Sequence, residues 1–203
     1  MNIFSKNKIA AFWKWFDKNS EDLFNSEAKD ADLLGVLENK LKTVSPHACY
    51  QFGTIQKGRR EFVISADGII EGAQAVIDLV SAAPKYKQWE VVAFRPRVDV
   101  GRIDMGGRIL KVDDIKYSYT FSENNRVSLE LFVKGYDDNY KNEYMGATFV
   151  LIDAIVGEFD AMTKLGTINI SGQNTNSEEG LYPLKKLADL LDSRRRNSLP
   201  TLT

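Results

Sequence analysis

Glu61-Phe62-Val63-Ile64-Ser65-Ala66-Asp67-Gly68 sets Phe62, Ile64 and Ala66 on one face of an extended chain before an Asp-Gly pair interrupts it. This is the pattern of a strand that ends in a turn. Upstream, Tyr50-Gln51-Phe52 also alternates and residues 53–58 have the composition of a connection, so the two runs predict an antiparallel pair. Downstream, Ala73, Val76, Ile77, Val80 and Ala83 fall on one stripe of a helix that must end before Pro84. A strand over 89–94 follows. The order is therefore strand, strand, helix, strand.

The same order recurs later in the chain. Residues 115–121 and 126–134 are two alternating runs around the turn-like Ser122-Glu123-Asn124-Asn125, with Leu129, Leu131 and Val133 directed to the core. Residues 138–156 read as a helix that Gly157 can end with a positive φ, and 165–170 as a last strand. The two halves match in hydrophobic period far better than in residue identity, so the parallel is one of architecture. Between them, Arg95-Pro96-Arg97 opens an irregular stretch through Gly101, Gly106 and Gly107, with a short strand expected at 108–111.

Helices flank this region. Ile9, Phe12, Trp13 and Phe16 recur at helical spacing over residues 3–24, with Lys8, Lys14 and Lys18 around them and Trp15 widening the apolar face. Ser26 is a candidate N-cap for a second helix carrying Leu34, Leu37 and Leu41, which Ser45-Pro46 stops. Residues 172–180 are polar and loop-like, Leu184, Leu187, Ala188 and Leu191 mark a closing helix, and 193–203 read as a frayed tail.

The expectation is one α+β domain over 1–203, with helices over 1–45, a sheet core over 49–170 and a loop, short helix and tail over 172–203. If the strands of the two crossovers interleave, they form a mixed or antiparallel sheet of about six strands with a ferredoxin-like double strand-helix-strand core. The 203 residues, 43% hydrophobic and 27% charged, suit such a compact chain and not a disordered one.

Composition also narrows function. A net charge of -1, from 27 Lys+Arg against 28 Asp+Glu, argues against a general nucleic-acid surface, and Arg194-Arg195-Arg196 is too short to make one. One cysteine, Cys49, forms no internal disulfide, and one histidine, His47, cannot complete a His/Cys zinc site. Both fit a reducing cytoplasm. The lysine-interrupted amino terminus lacks the features of a secretory signal, and the most apolar segment, 145–156, is far shorter than a membrane span and contains Asp153. No cofactor is expected: the glycines at 101, 106 and 107 match neither a dinucleotide fingerprint nor a phosphate loop.

In the interleaved topology one sheet edge gathers Asp67, Glu71, Arg95, Arg97, Arg126, Glu158 and Asp160. These residues are the candidate ligand-binding set. Helix-terminal amides with Arg95 or Arg97 would hold an anion, or Asp67, Glu158 and Asp160 would gather oxygen ligands for a divalent ion. The plainer reading has the same charges pairing with one another across a solvated rim. Asp153, surrounded by apolar neighbours, would suit a general acid or base if buried, and a margin ion pair if not. His47 has no nucleophile motif beside it and reads as a strand-entry residue, and Cys49 as a small core residue. No catalytic residue or metal ligand is assigned. The aromatic amino-terminal helix could meet a membrane surface or a partner's groove, but packing on its own sheet is the simpler reading.

Phe12-Trp13-Lys14-Trp15-Phe16, Tyr50-Gln51-Phe52-Gly53, the run 60–68, Val92-Ala93-Phe94-Arg95-Pro96-Arg97 and Gly157-Glu158-Phe159-Asp160, in that order, resemble a family of uncharacterised bacterial proteins. The resemblance implies a bacterial cytoplasmic protein and no particular activity. The resulting expectation is a non-catalytic binding or interaction protein, in the manner of an immunity protein, that meets a protein partner or a small anionic ligand. The alternative is a carboxylate-based, metal-dependent enzyme acting on an anionic small molecule. Open sheet edges near Tyr50 or Ile115 are compatible with a homodimer.

Overall fold

The computed structural model describes residues 3–122, 124–173 and 179–197. Glu123, the middle of the 172–180 loop and the tail from 198 lie outside the described residues, as do the side chains of Arg195 and Arg196. The protein is α+β, and its chain divides into two compact units, 1–95 and 96–203.

The first unit contains α1 (Ile3–Asn25), α2 (Ala31–Val44), β1 (Cys49–Phe52), β2 (Arg60–Ser65), α3 (Ile70–Ser81) and β3 (Trp89–Ala93). Strands β1 and β2 are antiparallel, from Cys49↔Ser65 to Phe52↔Phe62. Strands β2 and β3 are parallel and directly adjacent, from Arg60↔Trp89 to Ile64↔Ala93. The aromatic face of α1 packs on this sheet. Phe12, Trp13, Phe16, Phe62 and Trp89 are buried, and the Phe16 and Phe62 rings stack 5.0 Å apart at 6°. Each such side chain removed from water contributes roughly 1.5–3 kcal/mol. Trp15 is only half-buried at the rim.

Polar contacts fix where α1 ends. Arg60 donates to the carbonyls of Leu23, Phe24 and Ser26, and its guanidinium lies 4.6 Å from the Phe52 ring centre. Ser26, expected to open α2, instead donates to the Leu23 carbonyl at 2.8 Å and is buried. The hydroxyl thus helps close the preceding helix, and Asp30 precedes the first turn of α2.

The second unit contains a short hairpin, β4 (Arg102–Asp104) with β5 (Ile109–Lys111), followed by β6 (Ile115–Phe121), β7 (Val127–Val133), α4 (Lys141–Val156), α5 (Glu158–Lys164), β8 (Leu165–Gly172), β9 (Tyr182–Pro183) and α6 (Leu187–Asn197). Its main sheet has the order β8-β7-β6-β9, with β6–β7 antiparallel and β7–β8 parallel. Leu129, Leu131 and Val133 face the core together with Leu151, Ile152, Leu184, Leu187 and Leu191. Gly157 ends α4 at φ 82°, as its position suggested, but the next residues start α5 instead of leading straight to a strand.

Each unit therefore contains the repeated strand, strand, helix, strand order. The described strands do not form one six-stranded ferredoxin-like sheet. That arrangement needs a strand inserted between the two parallel members of each crossover, whereas β2 pairs directly with β3 and β7 directly with β8. Three separate sheets result. Among the described residues no helix is long and apolar enough to cross a membrane.

Candidate functional site

The seven charged residues proposed as one rim fall into two sets. Asp67, Glu71 and Arg95 belong to the first unit, while Arg97, Arg126, Glu158 and Asp160 belong to the second.

In the first unit, the parallel strands β2 and β3 end side by side, and both chains leave them in a left-handed conformation. Asp67 has φ 53°, Gly68 φ 74° and Phe94 φ 66°. Such values are uncommon for a non-glycine residue and strained for a bulky one such as Phe94. The turn is held by local bonds. The Asp67 amide donates to Ser65 Oγ at 2.9 Å, the Ile69 amide to the Ala66 carbonyl, and the Phe94 amide to the Ile64 carbonyl. Arg95 reaches back to Asp67 at 3.3 Å in a partly exposed ion pair. Beyond this pair, Ile69 and Ile70 are 37% and 46% exposed, and Glu71 stands exposed in the first turn of α3. His47 comes to the same end of the sheet, with its Cβ against Gly72. Sequence reasoning treated His47 alone; only the β1–β2 register, in which Cys49 faces Ser65, places it beside this turn.

In the second unit Arg97 and Arg126 bond to helix ends and to carboxylates. Arg97 donates from Nη1 and Nη2 to both carboxylate oxygens of Asp192, from Nη2 to Asp160 at 2.8 Å, and from Nε to the Val156 carbonyl at 2.8 Å. The Asp192 bonds raise its pKa, opposed by burial and reinforced by Asp160. Lys164 pairs with Asp160 from the other side at 2.8 Å. Arg126 donates to the carbonyls of Met162 and Thr163, closing the last turn of α5. Glu158 is fully buried at the start of α5. Arg97 thus ties together the end of α4, α5 and α6. Among the described residues no three His, Cys, Asp or Glu side chains gather as metal ligands.

Asp153 is half-buried on α4 beside the exposed Phe149 and Val150, and Cys49, expected in the core, is only half-buried at the start of β1.

Exposed aromatics form a separate feature that the sequence reading did not single out. Tyr117, Tyr119 and Phe121 alternate along β6, and Tyr182 of β9 lies 5.7 Å from Tyr117 and 5.6 Å from Tyr119 between ring centres. Tyr117 is buried, but Phe121 is 52% exposed beneath the Arg194 guanidinium, 4.0 Å from its ring centre. The alternation over 115–121 is a signal from which this strip could have been found.

Comparison with protein-family models, with curated proteins and with solved structures finds no match.

Proposed function

We propose that the protein is a non-catalytic interaction protein of the bacterial cytoplasm, and that it meets its partner at the turn from Asp67 to Glu71. The observation that carries this reading is the adjacent exposed pair Ile69 and Ile70, set among Asp67, Glu71 and Arg95. Apolar side chains exposed on a locally braced turn and framed by charge suit a protein contact, in which the apolar centre is buried and the charges steer. Two carboxylates against one guanidinium favour a basic, partly apolar protein surface. Neutralising a toxin, as an immunity protein does, is one form of such binding.

The test places a photo-crosslinking side chain at position 70 of the full chain in its host and compares it with the same chain carrying Ile69→Ser and Glu71→Lys. A discrete protein adduct that disappears in the variant supports the proposal. No adduct, or one indifferent to both substitutions, counts against it.

The carboxylate-based enzyme reading draws on the strained ends of β2 and β3, because backbone strain concentrates at working sites. It would be favoured by a thermal shift with a divalent metal or a phosphorylated metabolite that Asp67→Asn or Arg95→Ala abolishes.

A further inference from the structure

We infer that the turn between β1 and β2, together with the entry to β3, is a docking surface for an anionic lipid bilayer, with Ile55 as the side chain that enters the lipid. Two segments of sequence supply the charge. Residues 54–60 and 84–88 hold Lys57, Arg59, Arg60, Lys85 and Lys87 and no carboxylate, in a chain whose net charge is -1. The fold brings them to one end of the first sheet. Strands β2 and β3 run parallel from Arg60 and Trp89, and the Arg60 amide donates to the Gln88 carbonyl at 2.9 Å. The turn from Asp67 to Glu71 lies beyond the opposite end of β2, so the two surfaces are separate.

The tip is braced and stands in solvent. Gln56 and Arg59 exchange backbone bonds of 2.8 and 2.9 Å around Lys57 and Gly58, whose φ values of 51° and 74° suit the tight hairpin turn in which both central residues are left-handed. At its base, Arg60 is held by the carbonyls of Gly53, Leu23, Phe24 and Ser26. Every residue from Thr54 to Arg59 is exposed, with Ile55 at 50%. Lys57, Lys85 and Lys87 are exposed as well, and among the described residues they make no ion pair. Arg59 has Glu90 at 3.5 Å, an exposed pair that costs little to open.

The chemistry of these side chains selects the anionic partner. Recognition of discrete carboxylates favours the planar fork of arginine, whereas the exposed unpaired cations here are all lysines, point charges on flexible stems that suit diffuse charge. Single-stranded nucleic acid is held by exposed rings on which bases stack. Tyr86 is the one aromatic residue of the two segments; its ring packs against Trp13 and Phe16, and its hydroxyl donates to Asp17 at 2.6 Å. An isoleucine standing among lysines also gains nothing from a phosphate backbone. A bilayer with anionic headgroups uses both features. Its surface charge attracts the lysines, and its interface buries the aliphatic side chain while the lysine stems keep their charged ends among the headgroups. Each lysine brought near such a surface is worth roughly fivefold in binding, so the contact is reversible and weakened by salt.

The experiment is flotation of the full chain with vesicles of phosphatidylcholine alone and with vesicles of equimolar phosphatidylglycerol and phosphatidylcholine. It compares wild type, the combined variant Lys57→Gln, Lys85→Gln and Lys87→Gln, and the single variant Ile55→Ser. The expected result is binding to the anionic vesicles only, weakened about a hundredfold by the lysine substitutions and roughly fivefold by Ile55→Ser, and lost as salt is raised. All the substituted side chains are exposed, so each variant should keep the wild-type thermal midpoint and its binding reads the surface alone. No binding to either vesicle, equal binding to both, or binding that the lysine substitutions leave intact overturns the proposal. So does an Ile55→Ser chain that binds as tightly as wild type. Tighter binding of wild type to a single-stranded oligonucleotide or to polyglutamate than to the anionic vesicles overturns it as well, and would assign the surface to a nucleic acid or an acidic protein.

Discussion

Arg97 holds both carboxylate oxygens of Asp192, at 2.7 Å from Nη1 and 2.8 Å from Nη2, across 95 residues of sequence. The paired geometry makes this contact more directional than an ordinary surface ion pair. It joins the segment before β4 to α6, while the remaining Arg97 donors hold the α4–α5 junction.

Replacing Asp192 by Asn keeps the shape but removes one charge of a partly exposed pair, so it should cost about 1 kcal/mol. Arg97→Ala should cost more, about 2–3 kcal/mol, because Asp160 and the Val156 carbonyl lose a donor as well. Urea titration of the full chain measures both. The Asp192→Asn effect should shrink in high salt, whereas the part of the Arg97→Ala effect that belongs to the Val156 carbonyl should persist.

The anchoring of α1 gives a second prediction. Trp13 donates its indole N–H to the Leu79 carbonyl at 2.9 Å, in the last turn of α3, and its ring packs edge-on to Phe16. Trp13→Phe keeps an aromatic ring but leaves that carbonyl without its donor, at an expected cost of about 1–3 kcal/mol. Phe16→Ala removes the ring stacked on Phe62 and should cost about 3–5 kcal/mol. Thermal unfolding should rank Phe16→Ala below Trp13→Phe, and both below wild type.

What could be read in advance separates along physical lines. The amphipathic stripe of α1, the alternation of β2, β6 and β7 and the terminating role of Gly157 are local patterns, and each element forms where its pattern stands. Ser26 was misassigned because a serine hydroxyl can serve either helix it lies between, and the choice fell to a buried bond with Leu23. The joining of strands into sheets is non-local: the same strand, strand, helix, strand order permits parallel strands to be adjacent or separated by one strand. The charged rim depended on that choice. With β2 beside β3, Asp67 and Arg95 meet, but Arg97 turns to Asp192, a partner in the closing helix that no spacing rule connects to it.

Alkaline pH supplies a third prediction. Burial pushes the Tyr117 phenol up to about 12 from an ordinary value of 10.0, with Tyr119, Tyr182 and Asp189 adding to the effect. Tyr86 is raised as well, by burial and by its hydrogen bond to Asp17. A raised folded-state pKa means that the folded chain retains the proton when the unfolded chain has lost it. The associated stability is fully present below pH 10 and is lost as pH rises toward 12. The thermal midpoint should therefore fall across this window. Tyr117→Phe should make the fall shallower, and Tyr117→Phe with Tyr86→Phe shallower still, whereas an unchanged slope would mean that neither phenol is linked to folding.

The close approach of His47 to α3 gives the fourth. Gly72 is buried in the first turn of that helix, and a Cβ built there would lie 2.8 Å from His47 Cβ and 3.2 Å from Ala66 Cβ. Gly72→Ala would ordinarily stabilise a helix. Here the overlap dominates, and the change should destabilise by about 1–3 kcal/mol, since real side chains do not approach so closely and the backbone must shift. The atom responsible is the His47 β-carbon, which sharpens the test. His47→Ala retains that carbon and should not rescue Gly72→Ala, whereas His47→Gly removes it and should recover part of the loss beyond its own backbone-entropy cost. A double-mutant cycle by urea denaturation isolates this coupling. Rescue by His47→Ala would instead assign the strain to the imidazole ring, and equal non-rescue by both would assign it to Ala66 on β2's exit.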